Sequence, residues 1–300
     1  MENESRDGNK RRWLGAILWV VAVALMLGAA YYQRRTGPSH PVRGTFEVAG
    51  ESYRYRLVRN ATTTADARVA IPEPAVPVRG GLRFKRYRTD DELTEVPLRP
   101  VDGELVGYLP SQPAAGKIEY QLVLEVADGV VRLPDPKTGN AVLRFKDPVP
   151  LYVLLPHISL MFLSMVLGLR TGLAALFTPG QVRRLAWITL SMMTVGGLIL
   201  GPIAQKYAFG AFWTGFPFGY DLTDNKVLIM WLVWMAACMV LGFRPRARER
   251  LARTVTAVAA LLVVVVYAIP HSAQGSELNW EEVDRGVPPA EAIKTGTQGT

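Results

Sequence analysis

The chain has 300 residues, of which 34 are Lys or Arg and 26 are Asp or Glu, so its formal net charge at pH 7 is +8. Its single cysteine, Cys238, excludes an intrachain disulfide, a cysteine-based metal site and c-type haem attachment through a CxxCH motif. Hydrophobic residues make up 49% of the sequence. They are concentrated in long runs, which is typical of an integral membrane protein.

Five apolar runs are long enough to cross a bilayer as helices, which takes about 20 residues each. They cover residues 13–32, 155–177, 185–203, 227–243 and 254–270. The first run follows Lys10, Arg11 and Arg12, as the core of a signal peptide would. Because it is longer than a usual signal core and no small-residue cleavage site follows it, we interpret it as an uncleaved anchor.

Lys and Arg cluster in three short segments, which lie before Trp13, around the loop after the second run, and between Arg244 and Arg253. The positive-inside rule assigns these segments to the cytoplasm and leaves residues 33–154, 204–226 and 271–300 outside. Since the basic residues flank apolar runs, the net charge does not indicate nucleic-acid binding. We expect a protein of the bacterial inner membrane, with a cytoplasmic N-terminus and a periplasmic C-terminus.

The outward segment after the first span has short alternating stretches separated by Gly, Pro, Asn and Asp, which indicates β-structure. Predicted strands are Thr45–Val48, Tyr53–Val58, Arg68–Ile71, Leu82–Tyr87, Glu95–Leu98, Leu105–Tyr108, Ile118–Val126 and Ala141–Phe145. About eight short strands in about 110 residues predict a β-sandwich of immunoglobulin or fibronectin type III character. No nucleophile motif or phosphate-binding glycine loop occurs in it, which favours a binding module over an enzyme.

The chain has three histidines, and two of them are expected at the outer membrane surface. His40 lies in a linker, where a solvated role is expected. His157 follows Pro156 and His271 follows Pro270, and proline is favoured in the first turn of a helix. Pro156 is therefore expected to open the second span and Pro270 to close the fifth, so both imidazoles would be available as axial ligands of haem b.

The outward loop 205–226 is rich in aromatic residues, which are Tyr207, Phe209, Phe212, Trp213, Phe216, Phe218 and Tyr220. Its glycines permit tight turns or the close approach of a planar ligand. We expect Thr223 or Asp224 to cap the fourth span, and Lys206 and Lys226 to be available for haem propionates. The alternatives for this loop are an aromatic belt at the lipid interface and lysines that contact lipid headgroups.

The stretch FGAFWTGFPFGYDLTDNKVLIMWLVW, flanked by these two histidines, resembles the core of the haem-handling cytochrome c assembly proteins, whose WWD domain lies between two histidines. The resemblance is confined to residues 155–275. It implies that His157 and His271 are axial haem ligands. It also implies a platform for the haem, formed by Trp213, Phe216, Phe218, Tyr220 and Asp221.

These patterns predict a mixed membrane protein, in which a five-span helical bundle carries an inserted all-β sandwich. The expected parts are a cytoplasmic N-terminus (1–12), the first transmembrane helix (13–32), a periplasmic β-domain (33–148), a four-helix transmembrane domain (149–271) and a periplasmic tail (272–300). We expect the end of the tail to be disordered and its GSELNW segment to fold back over the aromatic loop. Charge is nearly absent within the spans, which disfavours a proton pump; Arg170 is the exception, and it is expected to snorkel to the cytoplasmic surface.

The leading functional prediction is haem b binding, in haem handling or electron transfer within a respiratory or cytochrome-assembly complex in the lipid bilayer, with quinone as a further partner. The principal alternative is a non-catalytic scaffold or accessory subunit whose β-sandwich binds a periplasmic partner. A third reading is an enzyme for a lipid-linked substrate with Asp221 or Asp224 as base. It ranks last because no nucleophile or metal set accompanies these residues, so an enzyme is not favoured.

Overall fold

The computed structural model describes residues 2–127, 129–242, 249–269 and 275–295. The chain divides into a helical unit (1–37, 149–206 and 211–274) and a β-unit (38–148, 207–210 and 275–300). The β-unit is therefore assembled from three separate segments of the chain. Sequence analysis treated the last of these segments as an independent tail.

The helical unit contains every long apolar helix. The helices are α1 (Glu2–Thr36), α2 (Leu151–Phe177), α3 (Val182–Met193), α4 (Gly201–Phe209), α5 (Leu222–Leu241) and α6 (Glu249–Ala268), and a short α7 (Trp280–Asp284) belongs to the β-unit. A π-helical segment, Thr194–Leu200, joins α3 to α4, and together they form one helical stretch, Pro179–Phe209. Five helical stretches are long and apolar enough to cross a membrane, which confirms the predicted number of long apolar helices.

Small and apolar side chains pack the helices of the bundle closely. Trp234 of α5 is fully buried in its core, and Gly168 of α2 lies so close that an added Cβ would be 3.2 Å from the indole ring. Gly172, one turn further along α2, faces Ala260 of α6. Cys238 is fully buried in the same apolar cluster, so it acts as a packing residue.

Among its described residues the β-unit contains thirteen strands, five more than were predicted. They are β1 (Val42–Val48), β2 (Glu51–Leu57), β3 (Asn60–Thr62), β4 (Ala67–Pro72), β5 (Arg79–Arg86), β6 (Thr94–Pro97), β7 (Arg99–Val101), β8 (Glu104–Leu109), β9 (Lys117–Val126), β10 (Gly129–Leu133), β11 (Ala141–Lys146), β12 (Ser276–Leu278) and β13 (Ile293–Thr295). Each of the eight predicted strands overlaps one of them. The five that sequence analysis missed are β3, β7, β10, β12 and β13.

The strands form four sheets. The largest has the order β3-β11-β9-β5-β6, with β10 also paired to β9, and a three-stranded sheet has the order β4-β8-β7. The pairs β1-β2 and β12-β13 are each two-stranded. All pairs are antiparallel except β11 with β3.

One hydrophobic core is shared by strands of the two larger sheets and the β1-β2 pair. Strand β9 crosses the middle of the largest sheet, and its Tyr120 is almost fully buried. The Tyr120 hydroxyl donates a hydrogen bond to the carbonyl of Val58 at 2.6 Å, which satisfies its polar end. Burial raises the pKa of Tyr120 because the phenolate would lose its hydration.

The C-terminal segment from Gly275 onward packs into the β-unit. The amide of Leu278 donates to the carbonyl of Ala115 at 3.3 Å, and Trp280 is buried with the guanidinium of Arg86 4.9 Å from its ring centre. Arg86 also contacts two carboxylates, Asp91 and Asp284, at 2.5 Å and 2.7 Å. These contacts fasten the C-terminal segment to strand β5.

Glu277 of β12 pairs with Lys117 at the start of β9. Burial lowers the pKa of Lys117 even though this carboxylate favours its charged form. The GSELNW segment was expected to fold back over the aromatic loop. In the structure Arg144 of β11 links the two segments, because it donates a hydrogen bond to the carbonyl of Ser276 and lies over the ring of Phe209. The last five residues, 296–300, for which disorder was predicted, lie outside the described residues.

Candidate functional site

His157 lies within α2, away from its first residue. The helix begins at Leu151 after Pro150, so Pro156 is inside the helix and the prediction that it opens the span is wrong. His157 is the seventh residue of α2, about 9 Å along the axis from the first at 1.5 Å per residue. Its imidazole therefore lies beyond the first turn of α2 and is partly buried.

The imidazole of His157 is oriented by a backbone carbonyl of the third helical stretch. Its Nδ1 lies 2.8 Å from the carbonyl oxygen of Gly196. Because a carbonyl oxygen only accepts hydrogen bonds, Nδ1 is the donor in this contact, and in the neutral imidazole Nε2 then has the lone pair. A histidine that ligates a metal through one nitrogen usually donates its other N–H to a carbonyl or carboxylate in this way.

The acceptor of this hydrogen bond belongs to the π-helical segment Thr194–Leu200. The amide of Gly201 also donates to the carbonyl of Gly196, so this oxygen accepts two hydrogen bonds. At Gly201 an added Cβ would be 3.5 Å from Cε1 of His157, and at Gly196 it would be 2.8 Å from Cβ of Leu160. The glycines thus allow α2 to approach closely, and π-helical turns of this kind are frequent at functional sites.

Asp224 organises the loop between α4 and α5. Its Oδ2 accepts hydrogen bonds from the amides of Thr214 at 2.7 Å and Gly215 at 3.1 Å, and from the Thr214 hydroxyl at 3.2 Å. Gln205 in turn donates to that hydroxyl at 2.5 Å. Asp224 and Thr214 are both buried, so this network fixes the backbone of the loop.

The first residues of α5 hold the other side of the loop. Asp221 caps the helix by accepting from the amides of Thr223 at 2.8 Å and Asp224 at 3.3 Å. The prediction that Thr223 or Asp224 is the cap is therefore wrong. Asn225 accepts from the amide of Phe216 at 2.7 Å. An added Cβ at Gly215 would lie 2.6 Å from Cβ of Asp224, so the close approach of loop and helix requires glycine.

The aromatic residues of the loop belong to two units. Tyr207 and Phe209 belong to the β-unit, whereas the others belong to the helical unit. In the helical unit Phe216 is 66% exposed and Phe218 is 80% exposed. Phe212 and Tyr220 are also exposed, at 57% and 65%. Within the loop, the Trp213 indole donates to the carbonyl of Phe216 at 3.0 Å, so the predicted platform residues lie mostly on the surface of a rigid loop.

The two lysines that flank the loop have different surroundings. Lys206 lies 5.6 Å from the ring centre of Phe212. Lys226 is 1% exposed, and its ammonium group donates to the carbonyl of Ile269 at the end of α6. The Lys226 side chain therefore joins α5 to the end of α6.

His271, the second predicted axial ligand, lies outside the described residues. In the described part of the chain, Ile269 accepts a hydrogen bond from Lys226, and Val227, the residue after Lys226, lies against Gly197 in the π-helical segment that contacts His157. Ile269 and His157 therefore lie at the same end of the bundle. Among the described residues, no group of three or more His, Cys, Asp or Glu side chains is arranged to hold a metal ion.

Comparison with known proteins finds no protein family, no curated protein and no solved structure that matches this chain. The resemblance to cytochrome c assembly proteins therefore stays a prediction.

Proposed function

We propose that this chain is a bacterial inner-membrane protein that binds haem b at the outer end of its helical bundle. Its role would be haem handling or electron transfer in a respiratory or cytochrome-assembly complex, with quinone as a further partner. The five long apolar helices support membrane insertion. Four of them lie between β11 and β12 in the chain. Four crossings would return the chain to the same side of the membrane, which agrees with the presence of both strands in one unit. By the positive-inside rule this side is the periplasm.

The observation that supports haem most directly is the orientation of His157. Its Nδ1–H is directed at the Gly196 carbonyl, so Nε2 has the lone pair that an axial ligand needs. An apolar surrounding at the outer third of a bundle would exclude water and tune the redox potential. When bound, haem b would supply one-electron redox chemistry.

His271 is the proposed second ligand. It follows Ile269 by two residues, and Ile269 is tied to the start of α5 by Lys226. Lys206, beside Phe212, is the more available lysine for a propionate because Lys226 is buried. The rigid loop from Trp213 to Asp221 is the proposed wall of the site. Since Phe216 and Phe218 are exposed, they would contact a ligand or lipid at its surface.

Replacement of each histidine tests this proposal. We expect His157→Ala and His271→Ala each to remove the absorption spectrum of a bis-histidine haem from purified protein. His40→Ala, in the linker before β1, is the matched control and should leave the spectrum unchanged. Unaltered spectra in both ligand variants would contradict the assignment.

A second candidate function is a non-catalytic scaffold in which the β-unit binds a periplasmic partner. It is favoured by the fastening of the C-terminal segment to β5 and β9 through Arg86 and Lys117, because this makes a self-contained unit on a membrane anchor. We assign the unit to the immunoglobulin-like sandwich class as part of this proposal. The scaffold predicts a colourless protein, in which replacing Trp213 or Phe218 changes stability and changes no bound cofactor.

A further inference from the structure

One charged side chain inside the bundle lacks the partners that a buried cation needs. Arg170 of α2 is 1% exposed. Its Nη2 donates to Oε1 of Gln181 at 2.9 Å, but its Nε and Nη1 have no hydrogen-bond acceptor among the described residues. Burying a guanidinium against one neutral amide is costly, so these donors call for an acceptor that the described residues do not supply.

No carboxylate of the described residues compensates Arg170. Every ion pair among the described residues lies in the β-unit, so none involves Arg170. The ring of Trp19 lies 5.6 Å from the guanidinium carbon and supplies a cation–π contact, but it accepts no conventional hydrogen bond.

The surroundings of Arg170 are strongly basic. Arg183 donates to the carbonyls of Leu241 and Gly242 at the end of α5, and Arg253 donates to the carbonyl of Ala175 near the end of α2. These contacts place the start of α3 and the start of α6 at the same end of the bundle as Arg170. This end also has further exposed basic residues, which are Lys10, Arg12, Arg184 and Arg250.

The side chain that accepts a hydrogen bond from Arg170 is itself exposed. Gln181 lies in the short turn between α2 and α3, and its side chain is exposed. Rotation of an exposed glutamine is fast and inexpensive, so a ligand at the membrane surface can displace the amide and reach the guanidinium. Trp19, whose ring also contacts the guanidinium, is 39% exposed, so it would contact an acyl chain or glycerol backbone.

We propose that Arg170 is the centre of a binding site for a phosphate group, supplied by an anionic phospholipid of the leaflet at the basic end of the bundle. A phosphate offers acceptor oxygens in the geometry that a guanidinium matches with two parallel hydrogen bonds. The surrounding cations favour an anionic headgroup over a neutral one. This proposal requires the helices to lie in a bilayer and is independent of haem binding.

Native mass spectrometry of the delipidated full-length protein tests the proposal, with phosphatidylglycerol, a diacylglycerol of the same chains, and inorganic phosphate as probes. We expect wild type to retain phosphatidylglycerol at least about tenfold better than diacylglycerol. Arg170→Met should abolish this preference, and Arg184→Met, an exposed arginine at the same end, should keep it. If wild type retains inorganic phosphate but not phosphatidylglycerol, the ligand is a free anion and not a phospholipid.

Two further variants keep the test decisive if Arg170→Met does not fold. Arg170→Lys retains the charge but loses the paired hydrogen bonds, so phosphatidylglycerol binding should weaken several-fold. Gln181→Ala removes the competing amide and should bind the lipid at least as tightly as wild type. Equal retention of phosphatidylglycerol and diacylglycerol by wild type, or unchanged phosphatidylglycerol binding in Arg170→Lys or Arg170→Met, would overturn the proposal.

Discussion

Replacing Asp224 should release the aromatic loop from the helical unit. In Asp224→Ala the amides of Thr214 and Gly215 lose the acceptor that they share at 2.7 Å and 3.1 Å. Each buried donor without a partner costs about 1–3 kcal/mol, so the expected loss of stability is about 2–6 kcal/mol. Asp224→Asn retains one acceptor oxygen and should lose about half as much, because its hydrogen bonds are no longer charge-assisted.

Hydrogen exchange in mild detergent measures this effect at the residues concerned. Exchange of the Thr214 and Gly215 amides should accelerate strongly in Asp224→Ala, and the unfolding midpoint should fall. Thr223→Ala is the matched control, because Thr223 contributes its backbone amide but not its side chain to the described hydrogen bonds of the cap. If the two variants protect these amides equally, Asp224 is not what fixes the loop.

Three further predictions concern the β-unit. Trp280→Ala, which removes a buried ring, should cost about 3–5 kcal/mol and make the C-terminal segment sensitive to limited proteolysis; unchanged resistance would contradict its packing. Arg86→Gln should cost only about 1 kcal/mol, because its pairs with Asp91 and Asp284 are partly exposed, and a much larger shift in the thermal midpoint would show that they contribute more. The Arg86 guanidinium holds the pKa of Asp91 at about 2, so the stability that this carboxylate adds over Asp91→Asn should be constant above about pH 4 and shrink towards pH 2; a difference independent of pH would refute the pairing.

The sequence predicted the elements whose patterns are long or regular. Five apolar runs became five long apolar helices, because the length of an uninterrupted apolar run directly determines whether a helix is long enough to span a bilayer. Strand β9 was found over nearly its full length, since Ile118–Val126 alternates apolar and polar residues along most of its course. A local sequence pattern was sufficient in both cases.

Features that depend on distant contacts were not predictable. Strands β12 and β13 are three residues each and are stabilised by packing against a unit that begins far earlier in the chain. Likewise, Asp221 rather than Asp224 caps α5, because Asp224 is engaged by Thr214 and Gly215 across the loop. Pro156 was expected at a helix start on propensity alone, whereas Pro150 precedes that start and α2 accommodates Pro156 in its interior.

The candidate site was predicted by residue type but not by arrangement. His157 was singled out as a ligand, and the sequence pattern did not indicate that the carbonyl of Gly196 orients its ring. The signal that could have pointed there is the run of glycines at 196, 197 and 201, which permits close helix packing. Arg170 was noticed as an intramembrane charge, but its lack of acceptors depends on side-chain positions that no sequence pattern encodes.

The absorption spectrum of wild-type protein, purified in mild detergent after expression with added haem precursor, tests the central claim most directly. Oxidised and dithionite-reduced samples should show a Soret band and sharp bands in the reduced form, with about one haem per chain. A featureless spectrum in both samples would contradict haem b binding and favour the scaffold.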